Sequence, residues 1–302
     1  ALSIITHDNT VAATKTLTVN ATSLDDDILT FNGGNEADGT FVITTDSTGN
    51  HQITLGAGND QYTSTGATAD DTVTATAGNN TINVGDGANS ITGGTGDDNI
   101  TGGTGVDTFK FATANLTSAD RLTGNGGTDI LLMTNDATVV DADFTLATSL
   151  ETVTTAANKD LTLTLGTLAN TAGVATVTLA GATGNETVTI GAAFTNALTV
   201  NLDSDAANAN TVDGTNYTGV LTIVADDGEI DSRASTLTGG TGVLDELQIT
   251  AGGNAISAAD MASVTAIEKF TSVGAVGALS IITHDNTVAA TKTLTVNATS
   301  LD

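Results

Sequence analysis

The chain of 302 residues contains no cysteine, no proline and no tryptophan, its aromatics amount to 3%, and seven Lys and Arg face 35 Asp and Glu for a net charge of −28. Each shortage excludes something. Without cysteine there is no disulfide framework and no Cys-ligated zinc or iron-sulfur centre. Seven basic residues cannot supply the clustered Lys and Arg that phosphate backbones require, so no nucleic acid is expected as a partner. No apolar run of about 18 residues occurs and no basic-then-apolar segment opens the chain, so neither a membrane-spanning helix nor a Sec-type leader is expected.

Catalytic chemistry is equally thin. Of the three histidines, His284 repeats His7, which leaves a nucleophile-histidine pair little to work with. The run Asp25, Asp26, Asp27 reads as an acidic turn between TLTVNATSL and ILTF rather than as a glycosidase carboxylate pair. Lys110, Lys159, Lys269, Arg121 and Arg233 are scattered, with no two in a cleft motif. The sequence predicts a protein that is not an enzyme.

What the chain does have is Val, Ile and Leu alternating with Thr. Runs such as TLTVNA, FVITT, DLTLTLG, ETVTIG and VLTIVAD recur every ten to twenty residues between Gly, Asn, Asp and Thr, the pattern of strands with one buried face. Helical period is missing, although DMASVTAIEKF from Asp260 and its counterpart near Asp143 fit one short turn each. Repetition comes at two scales. Residues 1–25 recur unchanged as 278–302, a period of 277 residues, which reads as one unit of a tandem array plus the start of the next, or a chain made to look like one. Inside the unit, DADFTLATSLETVTT from Asp141 matches SAADMASVTAIEKFTS from Ser257, with Asp143 over Asp260 and Glu151 over Glu268. The expected divisions are 1–160, 161–277 and the copy 278–302.

The first half carries an insertion whose content is the most informative stretch. From Asp46 it reads in blocks of nine: DSTGNHQIT, LGAGNDQYT, then after Ser64 and Thr65 GATADDTVT, ATAGNNTIN, VGDGANSIT, GGTGDDNIT and GGTGVDTFK. Position six is His51, Asp60, Asp71, Asn80, Asn89, Asp98, Asp107, and position eight is Ile53, Tyr62, Val73, Ile82, Ile91, Ile100, Phe109. Degenerate copies follow at Gly124 to Leu132, with Asp129, and at Gly239 to Gln248, with Asp245. These blocks, over residues 46–110, resemble the RTX family of calcium-binding nonapeptide repeats, G-G-x-G-x-D-x-U-x, where U is a large apolar residue.

The spacing has its own physical reading. Six turn residues and three strand residues make half a coil, with position eight pointing into a narrow core. Glycines such as Gly94, Gly96, Gly103 and Gly105 permit backbone angles that expose carbonyl oxygens. Carboxylates at position six then stack at strand spacing, ~4.8 Å, and a hard cation with six to eight oxygen ligands suits them, calcium better than magnesium. The candidate metal residues are Asp60, Asp71, Asn80, Asn89, Asp98, Asp107, Asp129 and Asp245 with those four glycines. Asn80 and Asn89 lower the ligand charge, His51 is not a usual calcium ligand, and Ala67 and Ala69 stand where glycine is expected. The resemblance implies ions held between turns two blocks apart, Asn80 with Asp98 and Asn89 with Asp107. It also implies sites that fill at extracellular calcium, and type I secretion.

One architecture covers all of this, an all-β parallel β-solenoid, or β-roll, with calcium-binding turns and repeated in tandem. A string of β-sandwiches is the competing fold. The expected function is structural: a calcium-stabilised unit of a bacterial surface fibre, filament or surface layer, its partners neighbouring copies of the same unit and cell-surface polysaccharide. The alternative is the calcium-dependent carrier module of a secreted RTX enzyme, toxin or adhesin.

Overall fold

Short strands of alternating Thr and aliphatic residues, joined by turns that bring the chain back over itself, stack as parallel sheets with one face inward. The computed structural model has this arrangement. It describes all residues except 25, 47, 67, 181–183, 203–208, 231–234, 243, 251–254, 258, 274–279, 284–286, 289–292 and 298–302. Asp25, Ala67, Arg233, His284 and much of the 278–302 copy therefore lie outside the described residues. The chain forms two compact units, Ala1–Met133 with Ala142–Glu151, and Thr134–Asp141 with Thr152–Asp302.

In the first unit the strands alternate between two parallel sheets. One runs Leu2–Ile5, Leu29–Asn32, Gln52–Thr54, Thr72–Thr74, Ser90–Thr92, Thr108–Phe111, Ile130–Met133. The other runs Thr16–Ala21, Thr40–Thr45, Gln61–Ser64, Thr81–Asn83, Asn99–Thr104, Arg121–Gly126. Every second strand pairs with the next of its own sheet, so each coil gives one strand to each face. Register brings like residues over like. Ile53, Val73, Ile91, Phe109 and Leu131 line one face, and Ile43, Tyr62, Ile82, Ile100 and Leu122 the other. All ten are at most 2% exposed, each burial contributing about 1.5–3 kcal/mol. The position-eight reading thus describes the core.

The second unit repeats the scheme with longer coils. Val153, Val177, Val200, Ile223, Leu247 and Phe270 stand in register on one sheet. Val139, Leu163, Val188, Val212, Leu237 and Val264 do so on the other. Partners are 23 or 24 residues apart on the first of these, against 18 between Val73, Ile91 and Phe109. Every strand pairing described is parallel, which excludes the antiparallel sandwich.

Helical structure is brief. The turns at Asp141–Phe144 and Asp260–Ser263 are 3-10 helices at the two places the repeat indicated. A helix at Thr167–Ala172 was not legible in TLANTA. The Asp141 carboxylate nucleates it, accepting the N–H groups of Gly166, Leu168 and Ala169 at 2.8, 3.2 and 2.9 Å.

Candidate metal centre

Position six of each block immediately precedes a strand, and its side chain turns inward rather than into solvent. His51, Asp60, Asp71, Asn80, Asn89, Asp98, Asp107 and Asp129 are at most 2% exposed. Each side chain accepts the backbone N–H of the matching coil position one turn earlier. In one column, Asp107 Oδ1 accepts from Asn89 at 2.9 Å and Asp129 Oδ1 from Asp107 at 2.8 Å. Earlier in that column Asn89 Oδ1 accepts from Asp71, Asp71 Oδ1 from His51, and His51 Nδ1 from Leu29. In the other, Asp120 Oδ1 accepts from Asp98 at 2.8 Å, Asp98 Oδ1 from Asn80 at 2.9 Å, Asn80 Oδ1 from Asp60 at 3.0 Å and Asp60 Oδ1 from Phe41 at 2.7 Å. Hydrogen bonds to charged acceptors contribute roughly 1.5–3 kcal/mol each, so position six holds the coils together before any ion is considered.

What differs from one coil to the next is the second oxygen. Asp60 Oδ2 accepts the Gly56 N–H at 3.0 Å, and Asp71 Oδ2 accepts the Tyr62 hydroxyl at 2.7 Å. Asn80 Nδ2 donates to the carbonyls of Ala77 and Gly78 and to Asp98 Oδ1, and Asn89 Nδ2 donates to the carbonyls of Gly85 and Gly87. An asparagine therefore supplies with its own amide the positive hydrogens that turn carbonyls need. Asp98, Asp107 and Asp129 have none to give, and each leaves Oδ2 buried with no hydrogen-bond partner. An unpaired buried carboxylate oxygen is costly unless neutralised.

Electrostatics tell the same story. Burial pushes Asp60 up to about 6, against donation from Phe41 and Gly56. Burial also pushes Asp129 up to about 6, with the charges of Asp107 and Glu151 adding to the rise. Asp71, Asp98, Asp107 and Asp120 are raised by burial as well. Among the described residues no Lys or Arg forms an ion pair with any of these six.

The donor set fits calcium. It is all oxygen, it includes three orphaned carboxylate atoms, and the turns present stacked carbonyls. A Cβ at Gly96 or Gly105, both in the left-handed region at φ +120° and +134°, would collide with the carbonyl of Gly78 or Gly87 one coil before. The same approach brings the Gly85 carbonyl under Gly103 (φ +152°) and Thr76 under Gly94. Carboxylates and close-set carbonyls suit a large hard cation with loose geometry. Asp98, Asp107 and Asp129 with the turn carbonyls would hold it. Asp245 resembles Asp60, with Oδ1 accepting the Leu221 N–H and Oδ2 the Gly240 N–H at 2.6 Å.

Several participants escaped the sequence reading. Asp120 fills a ladder position between blocks, with Oδ2 accepting the Thr117 N–H at 2.8 Å. A second, exposed ladder runs along position five, where Asn59 accepts from Asn79, Asn79 from Asp97, Asn50 from Asp70 and Asp70 from Ala88. The doubled residues Asn59-Asp60, Asp70-Asp71, Asn79-Asn80 and Asp97-Asp98 were the visible signal for it. Asp8, Glu36 and Asp38 also gather their carboxylates, yet buried Glu36 accepts the N–H groups of Val11 and Gly39 with its two oxygens.

Comparison with known families finds the RTX calcium-binding nonapeptide repeat in four copies, matching residues 65–99, 74–109 and 116–132. No curated protein and no solved structure matches the chain. The region from 65 to 132 is thus an RTX calcium-binding repeat segment carried on a parallel β-solenoid.

Proposed function

We propose that this chain is a structural unit of an extracellular bacterial assembly, a calcium-stabilised solenoid repeated to build a fibre, filament or surface layer. The calcium-binding repeats support a secreted setting, and among the described residues no helix is long and apolar enough to cross a membrane.

The observation that carries the assembly reading is the two environments of one sequence. Ser3 and Ile4 pair with Thr30 and Phe31, and Thr18 to Asn20 with Val42 to Thr44, all of the following coil. Their copies Ser280 and Ile281 pair with Ala255 and Ile256, and Thr295 to Asn297 with Lys269 to Thr271, all of the preceding coil. The same residues accept parallel partners on either edge, which is what a coil in the interior of a longer stack must do.

Electron microscopy of the purified chain in calcium tests this. With about twenty residues per coil and ~4.8 Å per coil, unbranched filaments with an axial repeat on the order of 65 Å, dispersed by EGTA, are expected. Compact monodisperse particles in calcium would refute the assembly and favour the carrier-module alternative.

A further inference from the structure

The Glu151 and Glu268 segments, matched by the internal repeat, do more than resemble each other in sequence. Each follows a 3-10 turn, and each lies on a coil that carries a degenerate nonapeptide. In the first unit the Gly124 N–H donates to the Thr148 carbonyl at 3.0 Å, the Glu151 N–H to the Asp129 carbonyl at 3.1 Å, and the Asp129 N–H to Glu151 Oε2 at 2.7 Å. In the second the Gly239 N–H donates to the Thr265 carbonyl at 2.9 Å, the Glu268 N–H to the Asp245 carbonyl at 3.0 Å, and the Asp245 N–H to Glu268 Oε2 at 3.0 Å. Between these bonds Ser149 and Ala266 both adopt left-handed backbone, φ +53° and +55°, a conformation costly to any residue with a Cβ. Its effect in each copy is to set a carbonyl oxygen against the glycine: a Cβ on Gly124 would collide with the Ser149 carbonyl, and one on Gly239 with the Ala266 carbonyl.

The copies differ at the second oxygen of the aspartate. Asp245 Oδ2 accepts the Gly240 N–H at 2.6 Å. Asp129 Oδ2, on a residue with 0% exposure, has no hydrogen-bond partner. It meets the same point above Gly124 as the Ser149 carbonyl. Two oxygens bearing negative charge converge there beside a third acceptor, Glu151, with Asp107 one coil earlier and no Lys or Arg paired to Asp129.

We propose that the Asp129 carboxylate, the Ser149 carbonyl and the Glu151 carboxylate hold a calcium ion that closes the ladder at its last coil. Ser149 and Glu151 lie outside the nonapeptide matches, which end at 132. The left-handed turn at Ser149 supplies the carbonyl that a glycine turn supplies elsewhere, and Glu151 reaches the position that a further repeat aspartate would occupy. The second unit keeps the frame and fills it with the Gly240 N–H in place of an ion.

This site rests on the reading that the repeat carboxylates take up calcium, and the test separates the two. Bound calcium is counted by equilibrium dialysis and titration calorimetry on the full chain, as wild type, Glu151→Gln and Glu268→Gln. Glutamine Oε1 still accepts the Asp129 or Asp245 N–H, so the far-UV spectrum of each variant without calcium should match wild type. Glu151→Gln should bind one ion fewer, or bind it more than tenfold more weakly, with the remaining ions unchanged, while Glu268→Gln should leave count and affinity as they are. Wild-type counts and affinities in Glu151→Gln overturn the site, as does an equal loss in both variants. A wild-type chain that binds no calcium at all overturns the calcium reading together with it.

Discussion

The nonapeptide coils of the first unit and the coils of the second meet one structural demand in two ways. In both, inward-pointing residues stack in register, and the N–H beginning a strand is taken by a side chain one coil on. The second unit uses Asn210 Oδ1 for the Glu186 N–H at 3.1 Å and Ser235 Oγ for the Asn210 N–H at 3.0 Å, with carboxylates at Asp245 and Glu268. The first uses Asp98, Asp107, Asp120 and Asp129. Coils of 18 residues leave a narrow core with one or two large side chains per strand, whereas those of 23 or 24 bury Leu161, Leu163 and Leu165 on one strand and add Phe194 against Tyr217, ring centres 6.0 Å apart. The side-chain ladder therefore belongs to the fold, and calcium chemistry is added to it where the acceptor is a carboxylate with an oxygen to spare.

Removing calcium should break the comparison most visibly. Each ion bound only by the folded state adds RT ln(1 + [L]/Kd), about 2.7 kcal/mol at one hundred times Kd. Hydrogen-exchange mass spectrometry in EGTA should show amides between 66 and 132 losing protection while those between 152 and 226 keep theirs. Uniform loss, or none, would erase the distinction between the two regions.

Acid should substitute for calcium in the first region. Asp60 and Asp129 rise from 3.8 to about 6 on folding, so the folded state binds their protons more tightly than the unfolded one. The stability this contributes is complete below 3.8 and is lost as pH rises through about 6. Melting in EGTA should accordingly occur at lower temperature near neutral pH than in mild acid, and calcium should restore the neutral sample. A calcium-free chain more stable at neutral pH would contradict the assignment of raised carboxyls.

A smaller change turns one coil into the other kind. Asp107→Asn should give the coil what Asn89 has, an amide able to satisfy turn carbonyls. Calorimetry should record one calcium ion lost, and the calcium-free melting temperature should rise by a few degrees. Smaller again is the backbone contribution. Gly105→Ala puts a Cβ in left-handed backbone against the Gly87 carbonyl and should cost about 1–2 kcal/mol or more. Gly126→Ala, where the nearest atom is Thr104 Cγ2 at 3.8 Å, should change stability by under about 0.5 kcal/mol in a denaturant titration.

Much of this was legible because a nine-residue period leaves little freedom. Residues eight, from Ile53 to Phe109, fall in the core in both sheets, and the nonapeptides pointed to parallel coils. The helix at Thr167–Ala172 was invisible because its nucleating group, Asp141, lies 26 residues before it in sequence. Asp120 and Glu151 were missed for a related reason: they occupy ladder positions 22 residues after Asp98 and Asp129, where the coil has outgrown the repeat.

By itself, the sequence determined the parallel all-β coil, its apolar stripe and the oxygen-rich chemistry of the turns, because each depends on the order of residues within a block. Which oxygens remain for a cation was decided only by the tertiary structure. Asp71 and Asp107 are the same residue at the same place in the repeat, yet one spends its second oxygen on the Tyr62 hydroxyl and the other has no partner for it. That difference is set by which side chain the neighbouring strand of the opposite sheet brings within 2.7 Å, and contacts between faces are not written in any single block.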